Sequence, residues 1–107
     1  MIIVTTNDLP GYKIVRVHGE VSGMTVRSRN ALAQMGAGFK AIAGGELVGL
    51  TKQLSETRAE AVARMTQAAF AEGCNAILAM RFDSNEIGGT YQEVIAYGTA
   101  VVVEPVN

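Results

Sequence analysis

The chain has 107 residues, of which 49% are hydrophobic and only 18% charged, and its formal net charge is −1. That length fits one domain, and so apolar a composition excludes a disordered chain. The near-neutral balance supplies no basic surface for nucleic acid or anionic lipid, so neither is expected as a partner.

An average soluble domain is about 25% charged. A small domain has little interior in which to hide apolar groups, so a charge-poor chain of this size points to surface hidden in a homo-oligomer. The one cysteine, Cys74, makes no internal disulfide. Residues 1–6 are apolar but lack the basic n-region of a secretory leader. The later apolar run, 94–103, is about half the length of a membrane-spanning helix. A cytoplasmic protein without a membrane segment is expected.

In chain order, residues 2–5 predict a short strand, and Asp8-Leu9-Pro10-Gly11 a turn. Residues 12–24 alternate as a strand does. Val15, Val17, Gly19 and Val21 fall on one side, and Ile14, Arg16, His18 and Glu20 on the other. Across 25–45, Leu32, Met35, Phe39 and Ile42 keep helical spacing, but Gly36, Gly38 and Gly44-Gly45 interrupt it. A short helix or broken turns is the reading there.

From Glu46 to about Gly73 the helical pattern is strong. Leu47, Leu50, Leu54, Ala61, Met65 and Ala68 form one stripe, and smaller residues including Ala59, Val62 and Ala69 a second that lets another backbone come close. Gly73 is a natural helix stop.

Residues 76–82 and 91–103 predict two further strands joined through Glu86-Ile87-Gly88-Gly89. Ala76, Leu78, Met80 and Phe82, with Val94, Ala96, Gly98, Ala100 and Val102, are assigned to the face under the helix, together with Val15, Val17 and Val21. The opposite face would carry Ile14, Arg16, His18, Glu20 and Ile77 with Arg81, Asp83, Tyr91, Glu93, Ile95, Tyr97 and Thr99. So mixed a face suits a subunit interface or a lined cavity better than a solvated surface or a dry core.

Several short motifs now stand in order: Thr5-Thr6, Pro10-Gly11-Tyr12, Val26-Arg27-Ser28-Arg29-Asn30, Gly36-Ala37-Gly38 and Gly44-Gly45-Glu46-Leu47. They continue with Ala63-Arg64-Met65, Gly73-x-Asn75-Ala76, Arg81-Phe82-Asp83, Glu93-Val94 and Ala96-Tyr97-Gly98-Thr99-Ala100-Val101. Over nearly its whole length the chain resembles the YbjQ-like family, uncharacterised bacterial proteins that carry a heavy-metal-binding label. The resemblance implies a βαββ subunit assembled as a ring-like homopentamer. Cys74 departs from the pattern, since similar sequences commonly have a small residue such as Ala there, and it is therefore no ligand shared by the family. Leu50 stands where an aromatic is frequent.

A soft metal site needs several converging thiolates or imidazoles. One Cys74 and one His18, far apart, cannot build it within a chain, although a symmetry axis could gather copies of one residue. Asp83, Glu86 and Glu93 are the candidates for a hard cation. Arg27, Arg29 and Asn30, ahead of a Gly-rich stretch, are the candidates for a small anion, although no Walker loop is present. His18 beside Glu20 would be the acid/base pair of an enzyme, and an interface histidine is the plainer reading. No serine sits in a nucleophile elbow, which argues against nucleophilic catalysis.

The expected fold class is α+β: a two-layer βαββ subunit with an antiparallel sheet and one long helix, plus a short N-terminal strand and a short irregular or helical segment. The first long strand should lie beside the last, and the last beside its hairpin partner. The expected function is an oligomeric ring, not an enzyme, that binds a small ligand or metal ion. The alternative is a structural or protein-interaction ring without a small-molecule site. No cofactor is named by the sequence.

Overall fold

Strand alternation and helical spacing divide the chain into β1 (Ile2–Ile3), β2 (Tyr12–Ser28), β3 (Ile42–Ala43), β4 (Glu46–Leu47), α1 (Val48–Ala71), β5 (Ala76–Ile87) and β6 (Tyr91–Pro105). The structure is a computed structural model and describes residues 1–28, 42–43 and 46–107. β1, β5, β6 and β2 form one sheet in that order, and β3 pairs with β4 in a second, two-stranded sheet. β2–β6 and β6–β5 are antiparallel, as the α+β expectation requires, while β1 adds in parallel to β5 and makes the sheet mixed. Glu46 and Leu47 belong to β4, so the helix starts at Val48 and not at Glu46. Leu32, Met35 and Phe39, read as helically spaced, lie outside the described residues, as do Arg29 and Asn30.

Local chemistry explains the element ends. Tyr12 N–H donates to the Leu9 carbonyl at 3.1 Å across Pro10-Gly11, closing the expected turn. At the hairpin tip Gly88 and Gly89 both have positive φ (61° and 72°), which the tight turn between twisted antiparallel strands demands. α1 ends in a Schellman arrangement. Gly73 N–H donates to Phe70 carbonyl at 3.0 Å, and Cys74 N–H to Ala69 carbonyl at 3.1 Å. Asn75 then clamps β6, donating to the Val103 carbonyl at 2.9 Å and accepting from Val103 N–H at 2.8 Å.

The helix packs on β2 and β6 through small groups. Ala61, Met65 and Ala69 on α1 are fully buried against Val21, Val94, Ala96 and Ala100. The closest approach is at Gly23, where a Cβ would stand 2.1 Å from Ala61 O and 2.3 Å from Met65 N. No larger residue fits under the helix there.

Bulges correct the expected faces. Between Leu78 and Arg81 the β5 register slips, with Ala79 at φ 53°. One extra residue reverses the alternation, so Ile77 and Phe82 both lie toward the helix. Ala76 and Leu78 instead join Val101 and Val103 on the outer face, where Ile2, Val4 and Leu9 cover them. Ile77 is thus a core residue and not part of the mixed face. Val15 and Val17, assigned to the helix side, are 47% and 61% exposed. Two register shifts in β2, between Ile14 and Arg16 and between Val17 and Gly19, place them elsewhere.

Candidate functional site

The outer face of the sheet is covered at one end by the N-terminal segment and, among the described residues, has no other cover. Directly paired residues share a face, so the pairs Ser22–Tyr97, Met24–Ile95, Val26–Glu93, Arg81–Tyr97, Asp83–Ile95 and Ile87–Tyr91 lie together. Met24, Val26, Ile87, Tyr91 and Tyr97 are all exposed large groups. Of the mixed face read from the sequence, Glu20, Arg81, Asp83, Glu93, Tyr97 and their apolar neighbours are brought together here. Met24 and Val26 belong to it as well. Their alternation with Val21, Gly23 and Thr25 is a usable signal in the sequence, and the strand runs on past Met24 to Ser28.

Arg16 and His18 do not share that face. Arg16 Nη2 donates to the Glu72 carbonyl at 2.9 Å, placing a cation at the C-terminal end of α1. His18 Nδ1 is 3.8 Å from Glu72 Oε2, so the carboxylate beside the histidine is Glu72 and not Glu20. Glu20 pairs with Thr99 on the outer side. The bulges in β2 separate the proposed His18–Glu20 acid/base pair.

Arg27, a candidate for anion binding, is engaged within the chain. Its Nη2 lies 2.6 Å from Glu60 Oε2, while Arg64 Nη2 lies 2.5 Å from Glu60 Oε1. Arg64 Nη1 also donates to the Met24 carbonyl at 2.6 Å. One carboxylate therefore bridges two guanidinium groups and ties α1 to the end of β2. At these exposures, an exposed ion pair adds about 0–1 kcal/mol, so the network fixes geometry more than it stabilises.

The candidate metal carboxylates do not converge. Asp83 and Glu93 lie on the outer face, whereas Glu86 pairs with Gln92 on the other side. Glu93 Oε1 accepts a long bond from Asn85 at 3.4 Å. Among the described residues no group of three or more His, Cys, Asp or Glu could hold a metal ion. Cys74 is buried beneath the end of α1, its Sγ 4.0 Å from the Glu72 carbonyl. It also lines a cleft with Met1, Thr66, Gln67, Phe70 and Asn75, beside a Phe70 ring that is 77% exposed. Among the described residues no helix is long and apolar enough to cross a membrane.

These features define a class: a two-layer α+β domain with one helix packed on a four-stranded mixed sheet. The profile of the YbjQ_1 family, described as "Putative heavy-metal-binding", matches residues 1–104. The chain belongs to this family. A UPF0145 protein of Acidothermus cellulolyticus is 55% identical over 107 residues, covering 100% of this chain and 99% of that one. One from Mycobacteroides abscessus is 56% identical over 107 residues with full coverage of both. A UPF0145 protein from Thermoplasma volcanium is 49% identical over 107 residues, covering 100% of this chain and 88% of its own. A crystal structure of a DUF74-family protein of unknown function from Pediococcus pentosaceus shares the fold. Its TM-score is 0.58 at 17% identity, over 97% of this chain and 98% of that one.

Proposed function

We propose that the chain is the subunit of a closed cytoplasmic homo-oligomer, a five-membered ring, that holds a small ligand. The observation that carries this reading is the outer face, bare among the described residues, where Met24, Val26, Ile87, Tyr91 and Tyr97 are each 37–48% exposed. A contiguous apolar patch of this kind on a charge-poor subunit is costly in water and favourable once a partner excludes it. A second copy is the occupant that suits it. The face carries its own acids (Glu20, Asp83, Glu93) and a cation (Arg81) among the apolar groups, and a ring repeats one such contact around its axis.

A heavy metal fits the subunit poorly as the ligand. With no three-ligand group among the described residues, a soft site would need Cys74 from several copies, and that thiol is 4% exposed. A small organic ligand asks only for a cleft with a few placed polar groups. Light scattering at micromolar concentration tests the assembly. The expected result is a single oligomeric species of five subunits, and a compact monomer would sink the reading.

A further inference from the structure

Where α1 passes the β5–β6 hairpin, a cleft of about 380 Å³ is lined by Leu54, Arg58, Phe82, Asp83, Ser84 and Val94. That volume is at the small end of the range for small-molecule sites, about 300–1,000 Å³. Val94 belongs to the core and supplies a fixed apolar wall, and Leu54 stands opposite on the helix. The Arg58 guanidinium lies over the Phe82 ring, 4.3 Å from its centroid. Stacking holds the planar group in one orientation and leaves its edge N–H groups open, the arrangement that recognises a carboxylate bidentately.

Arg58 differs from the other described arginines. Arg16 and Arg81 donate to backbone carbonyls, and Arg27 and Arg64 share Glu60. Among the described residues, the Phe82 ring is the one partner of the Arg58 guanidinium. The other polar groups of the cleft are already used. The Asp83 carboxylate accepts the Ser84 N–H at 2.9 Å. The Ser84 hydroxyl donates to the Glu93 carbonyl at 3.2 Å and accepts from Gln92 Nε2 at 2.7 Å. What remains open is one oriented cation beside aliphatic walls.

We propose that this cleft binds a small monoanionic organic carboxylate with an apolar body. The carboxylate sits in the fork of Arg58, and the hydrocarbon lies against Leu54 and Val94. The apolar walls add to the binding of such a body and give nothing to a compact hydrated dianion such as phosphate. Every lining residue belongs to one chain, so the inference goes beyond the ring and stands whether or not the ring forms.

The test is calorimetric and amide NMR titration of the full chain with hexanoate, hexanol and inorganic phosphate, on wild type and Arg58→Gln. Hexanoate should saturate and shift the amides of Phe82 and Val94. Hexanol and phosphate should each bind more weakly by about tenfold or more, the scale of a lost charge-assisted hydrogen bond. Arg58→Gln should lose hexanoate affinity by a similar factor and keep the hexanol response. Arg58 is exposed, so the variant should fold, and an unchanged melting midpoint checks this. Hexanoate binding equal to hexanol, or undiminished in Arg58→Gln, overturns the proposal, as does phosphate binding as tightly as hexanoate.

Discussion

On the helix side of the sheet the residues that meet α1 are small, with Gly23, Ala96 and Ala100 lying directly beneath Ala61, Met65 and Ala69. On the outer side the same strands carry Met24, Tyr97, Tyr91 and Ile87, all substantially exposed. Neighbouring residues of one strand thus follow opposite volume rules. Where the partner is fixed and close, side chains shrink until backbone touches backbone. Where the described residues offer no partner, they stay large and apolar, a composition suited to a surface that another molecule completes.

If the helix side is a close-packed interior, removing volume from it should cost the most. Met65 is fully buried at the centre of that packing. Met65→Ala should destabilise the fold by about 2–5 kcal/mol, read as a lower urea midpoint with unchanged slope. Adding volume should also be harmful. Gly23→Ala brings a methyl 2.1 Å from Ala61 O and 2.3 Å from Met65 N, and backbone cannot rotate away as a side chain can. A loss in the upper part of about 1–3 kcal/mol is expected in the same measurement. A neutral Gly23→Ala would mean that the helix does not rest on β2 as described.

How far the sequence made this contrast legible depends on which periodicity was at work. Uninterrupted alternation in β6 placed Val94, Ala96 and Ala100 correctly, and helical spacing found Ala61 and Met65. Bulges defeated the same reasoning. Ala79 takes φ 53°, a conformation that alanine rarely adopts, so nothing in Leu78-Ala79-Met80 announced the slip that moves Ile77 inward. The β2 bulges likewise turned Arg16 and His18 toward Glu72, a residue more than fifty positions away along the chain. The Arg27–Glu60–Arg64 network is equally non-local, and only its helical half, Glu60–Arg64, has a short-range spacing. Gly23 was readable in principle, since a lone glycine inside a strand often marks a close backbone approach.

Cys74 sharpens the comparison with a smaller effect. It is buried with Ala69 and Ile77 in the helix-side core, at a turn where its carbon frame matters more than its sulfur. Cys74→Ala should fold normally and cost no more than about 1–2 kcal/mol. Titration with Zn²⁺ and Cd²⁺ should give the same weak response in wild type and variant. Stoichiometric, submicromolar binding that vanishes in the variant would establish a soft site shared between copies.

The smallest effect on the subunit itself is expected on the outer face. Met24 and Tyr97 belong to successive same-face pairs of the β2–β6 ladder, on either side of Gly23–Ala96, and are 43% and 37% exposed, so neither supports the interior. Replacing both, as Met24→Ser with Tyr97→Ser, should change the stability of the isolated subunit by about 0.5 kcal/mol or less, the usual scale for surface positions. Assembly is a different matter. If this face is the contact between copies, wild-type melting should rise with protein concentration, because association stabilises the folded state by mass action. In the double variant that dependence should disappear, and light scattering should report a monomer. A variant that stays assembled, with the concentration dependence intact, would move the contact to another surface. The large residues opposite the helix would then need a different explanation.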